Sequence, residues 1–156
     1  MRKIVMTLVI LVSMISLSKA QDYNTGIGLR GGFAGGVTLK HFISSDAALE
    51  GIISSRWQGL VITGLYEKHA QAFDVSGLNW FYGAGAHIGF WDGNNVKWAD
   101  DDKSYTVLGI DGIIGIEYNI GEIPFNISLD WKPSLNIVGH SGFWADGGAL
   151  SVRYVF

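Results

Sequence analysis

Phe125-Asn126-Ile127-Ser128-Leu129-Asp130-Trp131-Lys132 alternates apolar and polar at every position. In an extended chain successive side chains point to opposite sides, so Phe125, Ile127, Leu129 and Trp131 share one face and Asn126, Ser128, Asp130 and Lys132 the other. A helix would scatter the same residues around its circumference. The polar face holds two opposite full charges and the apolar face none, which makes this a strand between two very different environments.

The same period runs through the chain on both sides. Leu108, Ile110, Gly112, Ile114, Ile116 and Tyr118 oppose Val107, Gly109, Asp111, Ile113, Gly115 and Glu117, and Leu150, Val152, Tyr154 and Phe156 oppose Ala149, Ser151, Arg153 and Val155. Ile27, Leu29, Gly31 and Phe33 oppose Gly28, Arg30 and Gly32. Trp80, Tyr82, Ala84, Ala86, Ile88 and Phe90 oppose Gly83, Gly85, His87 and Gly89. Clusters of Gly, Asn, Asp and Ser divide these runs, giving eight expected strands near 23–33, 36–43, 47–56, 59–69, 78–91, 105–119, 124–136 and 143–156. The expected fold is all-β, an eight-stranded antiparallel up-and-down barrel.

Alternation alone fits a soluble barrel as well as a transmembrane one. The charges separate the two. Arg30, Lys40, Arg56, Lys132 and Arg153 fall on the polar phase together with Glu50, Glu67, Asp111, Glu117 and Asp130, while the other charges lie in turns, loops and strand ends. Five cations and five anions lining a narrow interior can satisfy one another, and an eight-stranded barrel is just wide enough for side chains to fill it. A filled polar lumen with an apolar outside implies a transmembrane barrel without the open pore of a general porin. Asp130→Ala should then strand a basic partner, and an arginine at Leu129 should be tolerated worse than one at Ser128. Trp57, Trp80, Tyr82, Tyr105, Tyr118, Trp131, Trp144 and Tyr154 are expected near strand ends, as girdles at the membrane surfaces.

Residues 1–20 have the form of a secretory signal: Arg2 and Lys3, an apolar run over 4–17, then Ser18-Lys19-Ala20 as a small-x-small cleavage site. The run is shorter than the roughly 20 residues of a spanning helix. Cleavage would leave Gln21 first and residues 21–156 as the barrel, with eight basic against fourteen acidic residues and a formal charge near −6. That balance offers no basic surface for nucleic acid. The chain has no cysteine, which excludes disulfides, thiol nucleophiles, thiolate metal sites and an N-terminal lipid on cysteine.

The ending Leu150-Ser151-Val152-Arg153-Tyr154-Val155-Phe156 resembles the C-terminal signal by which outer-membrane barrels engage their assembly machinery, with Leu150, Val152, Tyr154 and Phe156 as its alternating apolar residues. In strand number and length the chain resembles the barrels of the OmpA transmembrane-domain and OmpX type. Arg30-Gly31-Gly32, Lys40-His41-Phe42 and Ser128-Leu129-Asp130-Trp131-Lys132-Pro133-Ser134 are similar to segments of small Bacteroidetes barrels. The resemblance implies an integral protein of the Gram-negative outer membrane, both termini periplasmic, with outer-membrane lipid and the assembly machinery as partners. Most such relatives have no assigned activity. The chain has no counterpart of the peptidoglycan-binding domain of full-length OmpA, so a cell-wall tether is not implied.

In that orientation the outside loops fall near 34–35, 57–58, 92–104 and 137–142. Loop 92–104 combines Trp98 with Asp100-Asp101-Asp102 and is the candidate for an extracellular ligand; its adjacent carboxylates lack the spacing of an EF-hand, and no metal or cofactor is expected. His140-Ser141 with Asp146 is the one constellation that suggests an outer-membrane acyl-hydrolase or acyltransferase, but neighbouring strand residues face opposite ways, so it requires an irregular loop. His87 is expected inside the barrel beside Glu67 or Asp111, and His41 and His69 near turns without a site. The expected role is structural or surface-interacting and not enzymatic, with a narrow channel or a lipid-acting enzyme as alternatives.

Overall fold

The computed structural model describes residues 23–92 and 103–156. Every regular element among them is a strand: β1 Thr25–Gly32, β2 Gly35–Phe42, β3 Ala47–Arg56, β4 Gly59–Gln71, β5 Leu78–Asp92, β6 Ser104–Ile120, β7 Phe125–Trp131, β8 Ser134–Val138, β9 Gly142–Trp144 and β10 Gly148–Val155. β7 and β8 both pair with β6, while β10 pairs with β7 and β9 with β8, so these four segments make the seventh and eighth strands of one wall. All pairings are antiparallel. β1–β10 and β5–β6 complete the circle, giving a closed eight-stranded barrel.

Local chemistry explains the irregular places. Strand seven is interrupted at Lys132-Pro133, where proline has no N–H for the ladder; the Pro133 carbonyl still accepts from Gly112 N–H at 3.0 Å. Strand eight breaks opposite, at 145–147, and is bridged by Lys132 N–H to Gly147 O at 3.1 Å and Trp131 Nε1–H to Ala145 O at 2.6 Å. The β3–β4 hairpin turns on two residues, Trp57 and Gln58, both with positive φ (48° and 60°). This type I′ geometry matches the twist of the strands but disfavours side chains this large.

The barrel is inverted relative to a water-soluble one. The outer face carries exposed apolar residues on every wall strand, among them Leu29 at 70% and Leu129 at 58%, whereas Lys40, Glu67 and Arg153 inside are 0% exposed. The interior also contains two apolar layers. Ile52, Leu65, Phe81 and Ile113 form one, and Val61, Trp91 and Val107, with Trp144 against them, form the other. Glycine makes room for the large rings: a Cβ on Gly89 or Gly59 would lie 2.2 or 2.3 Å from Trp91.

Candidate functional site

The polar interior divides into two compartments separated by the layer around Phe81. The first lies at the end where β1 begins and β10 ends. Lys40 Nζ on β2 reaches Glu67 on β4 at 2.8 Å, Glu117 on β6 at 3.3 Å and Glu50 on β3 at 3.7 Å. Arg153 on β10 donates to Glu50 at 2.5 Å, Ser128 Oγ at 2.7 Å, Asn126 Oδ1 at 3.2 Å and Thr38 Oγ1 at 3.3 Å, and Thr38 donates to Glu50. One cluster thus cross-links six strands through the middle of the barrel. Phe81 closes it, with Lys40 4.1 Å from the ring centroid.

His69 also belongs here. Its nitrogens lie 3.2 Å from Glu67 and 3.3 Å from Glu117, and its ring stacks on Phe81 with centroids 5.2 Å apart. This corrects the expectation that His69 has no site. Three carboxylates meet only two permanent cations, and His69 is the third group positioned to offset them. Glu67 and His69 share a strand phase two residues apart, a signal available in the sequence but obscured by the apparent end of the strand at residue 69. Tyr23 caps the cluster, its hydroxyl donating to Glu117 at 3.3 Å.

The second compartment lies toward the end with the long β5–β6 connection. Arg30 on β1 holds Asp130 on β7 through two parallel bonds of 2.5 and 2.6 Å. Asp111 on β6 accepts from Lys132 at 2.6 Å and Ser134 at 2.5 Å and lies 2.8 Å from His87 Nδ1, while His87 Nε2 lies 3.0 Å from Asn136. His87 therefore sits beside Asp111, not Glu67. The two carboxylates of this compartment face two permanent cations, Arg30 and Lys132, whereas the first compartment sets three carboxylates against Lys40 and Arg153.

Above these pairs, Arg56 has an unexpected partner. It binds Asp146, in the break of strand eight, at 2.5 and 2.6 Å, and its guanidinium lies 4.2 Å from the Trp57 ring and 4.7 Å from that of Trp144. Trp144 is thus not an outer girdle residue. It turns into the mouth and packs edge-on against Trp57 and Trp91, and Trp91 Nε1–H donates to the Arg56 carbonyl at 3.0 Å. Trp80, Tyr82, Tyr118, Trp131 and Tyr154 are exposed, Trp57 is exposed in the rim turn between β3 and β4, and Tyr105 is half-buried.

The carboxylate that a His140-Ser141 site would need, that of Asp146, is engaged by Arg56. At the opposite rim the exposed Asp46 is held by Lys68 at 2.8 Å; the hydrogen bonds from Lys68 and Ser44 keep its carboxyl below the usual range. Residues 93–102, with Trp98 and the Asp100 to Asp102 run, lie outside the described residues, as do the signal-like residues 1–20. Among the described residues no three His, Asp or Glu side chains are placed so that they could hold a metal ion. No family model, curated protein or solved structure matches this chain.

Proposed function

We propose that this chain is an integral β-barrel of a Gram-negative outer membrane, exported by cleavage after residue 20, with a structural or surface-interaction role and no catalytic one. The observation that carries the reading is the inverted polarity of the wall. Leaving a large apolar side chain in water forgoes ~1.5–3 kcal/mol relative to burying it, and a soluble monomer seldom exposes an apolar patch beyond a few hundred Å². Here such residues encircle the barrel. In hydrocarbon the same surface is at home, and a closed ladder satisfies every wall strand without water.

The packed interior favours a structural role over a narrow channel. The cavity at the mouth has a volume of about 30 Å³, room for about two water molecules. In this reading lipid is the standing partner, the assembly machinery engages Leu150, Val152, Tyr154 and Phe156 during biogenesis, and loop 92–104 offers a surface to an extracellular ligand. Fractionation of cells followed by N-terminal sequencing tests it. The protein should be recovered with outer membranes and begin at Gln21; recovery as a soluble periplasmic protein, or with residues 1–20 intact, overturns the reading.

A further inference from the structure

The mouth cavity lies where the wall is lowest. β1 and β2 end at Gly32 and Gly35, and β9 pairs only with β8, so no ladder joins the 33–34 turn to the 145–147 link above the Phe33 N–H to Gly148 O contact. Arg30, Arg56, His87, Lys132, Ser54 and Trp144 line it with side chains that carry donors, and Ser134 also lines it but spends its O–H on Asp111. No carboxylate lines it among the described residues, because Asp130 and Asp111 meet their cations behind the wall of the cavity.

Arg56 keeps one buried donor without a partner. Both oxygens of Asp146 are bound by a single guanidinium nitrogen, Nη2, whereas Arg56 Nε is buried without a partner. The side chain is only 9% exposed, and Trp57 and Trp144 fix its plane. Nε–H runs parallel to an N–H of Nη2, the edge that receives two oxygens of a carboxylate or phosphate, and Asp146 occupies only the Nη2 half of that edge. Lys132 supplies a second positive charge, having spent two of its three donors on Asp111 and Ser134.

We propose that this pocket binds a carboxylate or phosphate group, with Arg56 as its principal donor, Lys132 and Ser54 as supporting donors, and Asp146 as a tethered carboxylate competing for the same guanidinium. The group comes either from a free anion or from the head of an amphiphile whose chain lies over Phe33 at the low side of the wall. The site requires only the folded barrel, so its failure would leave the membrane reading intact.

The test uses the barrel folded in nonionic maltoside micelles and titrated at constant ionic strength with sodium acetate, inorganic phosphate and sodium laurate. Binding is read from tryptophan fluorescence, since Trp57 and Trp144 flank Arg56, and from the Arg56 Nε–H resonance. A saturable change is expected. Acetate or phosphate saturating as well as laurate identifies a free-anion site, and laurate saturating about tenfold lower identifies an amphiphile head group; either supports the proposal. R56Q should weaken binding by about tenfold or more, through loss of a charged hydrogen-bond pair. D146N, at a half-exposed position, should strengthen it severalfold by removing the competitor, and K68Q at the far rim should leave it unchanged. No saturable change with any probe, or an unaltered affinity in R56Q, overturns the proposal. Should R56Q fail to fold, an unaltered or weakened affinity in D146N overturns it equally.

Discussion

A charge buried inside this barrel is stable only through its partner, and Arg30–Asp130 isolates that rule most cleanly because each fills the other's fork. Removing one member leaves the other desolvated and unpaired, a loss of ~3–5 kcal/mol. Asp130→Ala should lower the unfolding free energy of the barrel, measured by urea titration, by that amount, and Arg30→Leu by a similar amount. The double variant should recover most of the loss instead of adding the two, which a double-mutant cycle reads directly; strict additivity would mean that the pair does not act as a unit. The exposed pair Asp46–Lys68 should contribute far less than Arg30–Asp130, because water screens it. Strand phase in the sequence assigns the ten charges to one face. It does not say which carboxylate meets which cation, because partners such as Arg30 and Asp130 are 100 residues apart and meet across a tilted lumen. Asp146 illustrates the limit: it looks like a loop residue in sequence and becomes a partner only because strand eight breaks there.

Most of the element-level organisation was legible because period two with an uncharged face leaves one solution, a strand with unlike sides. The expected all-β barrel and its strands match the structure, with ends displaced by a few residues. The turns were harder. Trp57-Gln58 and Phe73-Asp74 take left-handed conformations without the Asn-Gly signature, so only the short spacing between strands marked them. Trp57 is offset by its stack on Arg56; Phe73 is 85% exposed and nothing in the structure explains its conformation. The rule of faces makes a prediction about neighbours on β7. Leu129→Arg should reduce the folded fraction recovered in lipid vesicles, since a lipid-facing arginine at mid-depth costs ~2–4 kcal/mol, while Leu129→Ile should not. The expectation that Ser128→Arg is better tolerated does not survive the geometry. Ser128 Oγ lies 2.7 Å from Arg153, inside a cluster of fully buried side chains, so a second guanidinium there meets both its packed neighbours and a like charge. Its folded fraction should fall at least as far as that of Leu129→Arg.

Taken whole, the molecule is a ring whose last join is the β1–β10 seam, running from Gly26–Val155 to Gly32–Ala149. Until that seam forms, β1 and β10 are both open edges, and an open edge exposes a full row of unpaired N–H and C=O groups. Closure is therefore the step at which a catalyst of assembly has most to offer. Phe156 stands at the base of the seam, where its N–H donates to Thr25 O at 2.8 Å and its carbonyl accepts from Thr25 N–H at 2.9 Å. Its ring packs beside Tyr154 with centroids 6.2 Å apart and remains half-exposed. A half-exposed terminal ring adds little to a finished barrel held by seven other strand pairings and two buried charge clusters. Phe156→Ala keeps both backbone bonds and should change the unfolding free energy of purified, refolded protein by ~1 kcal/mol or less. If the ending is the assembly signal proposed here, the same substitution should sharply lower the amount of folded barrel in cell outer membranes, and deletion of Phe156 should lower it further. The two measurements separate recognition from stability: a loss in cells with little loss in vitro belongs to assembly, equal losses in both belong to folding, and unchanged assembly in cells removes the C-terminal strand as a recognition element.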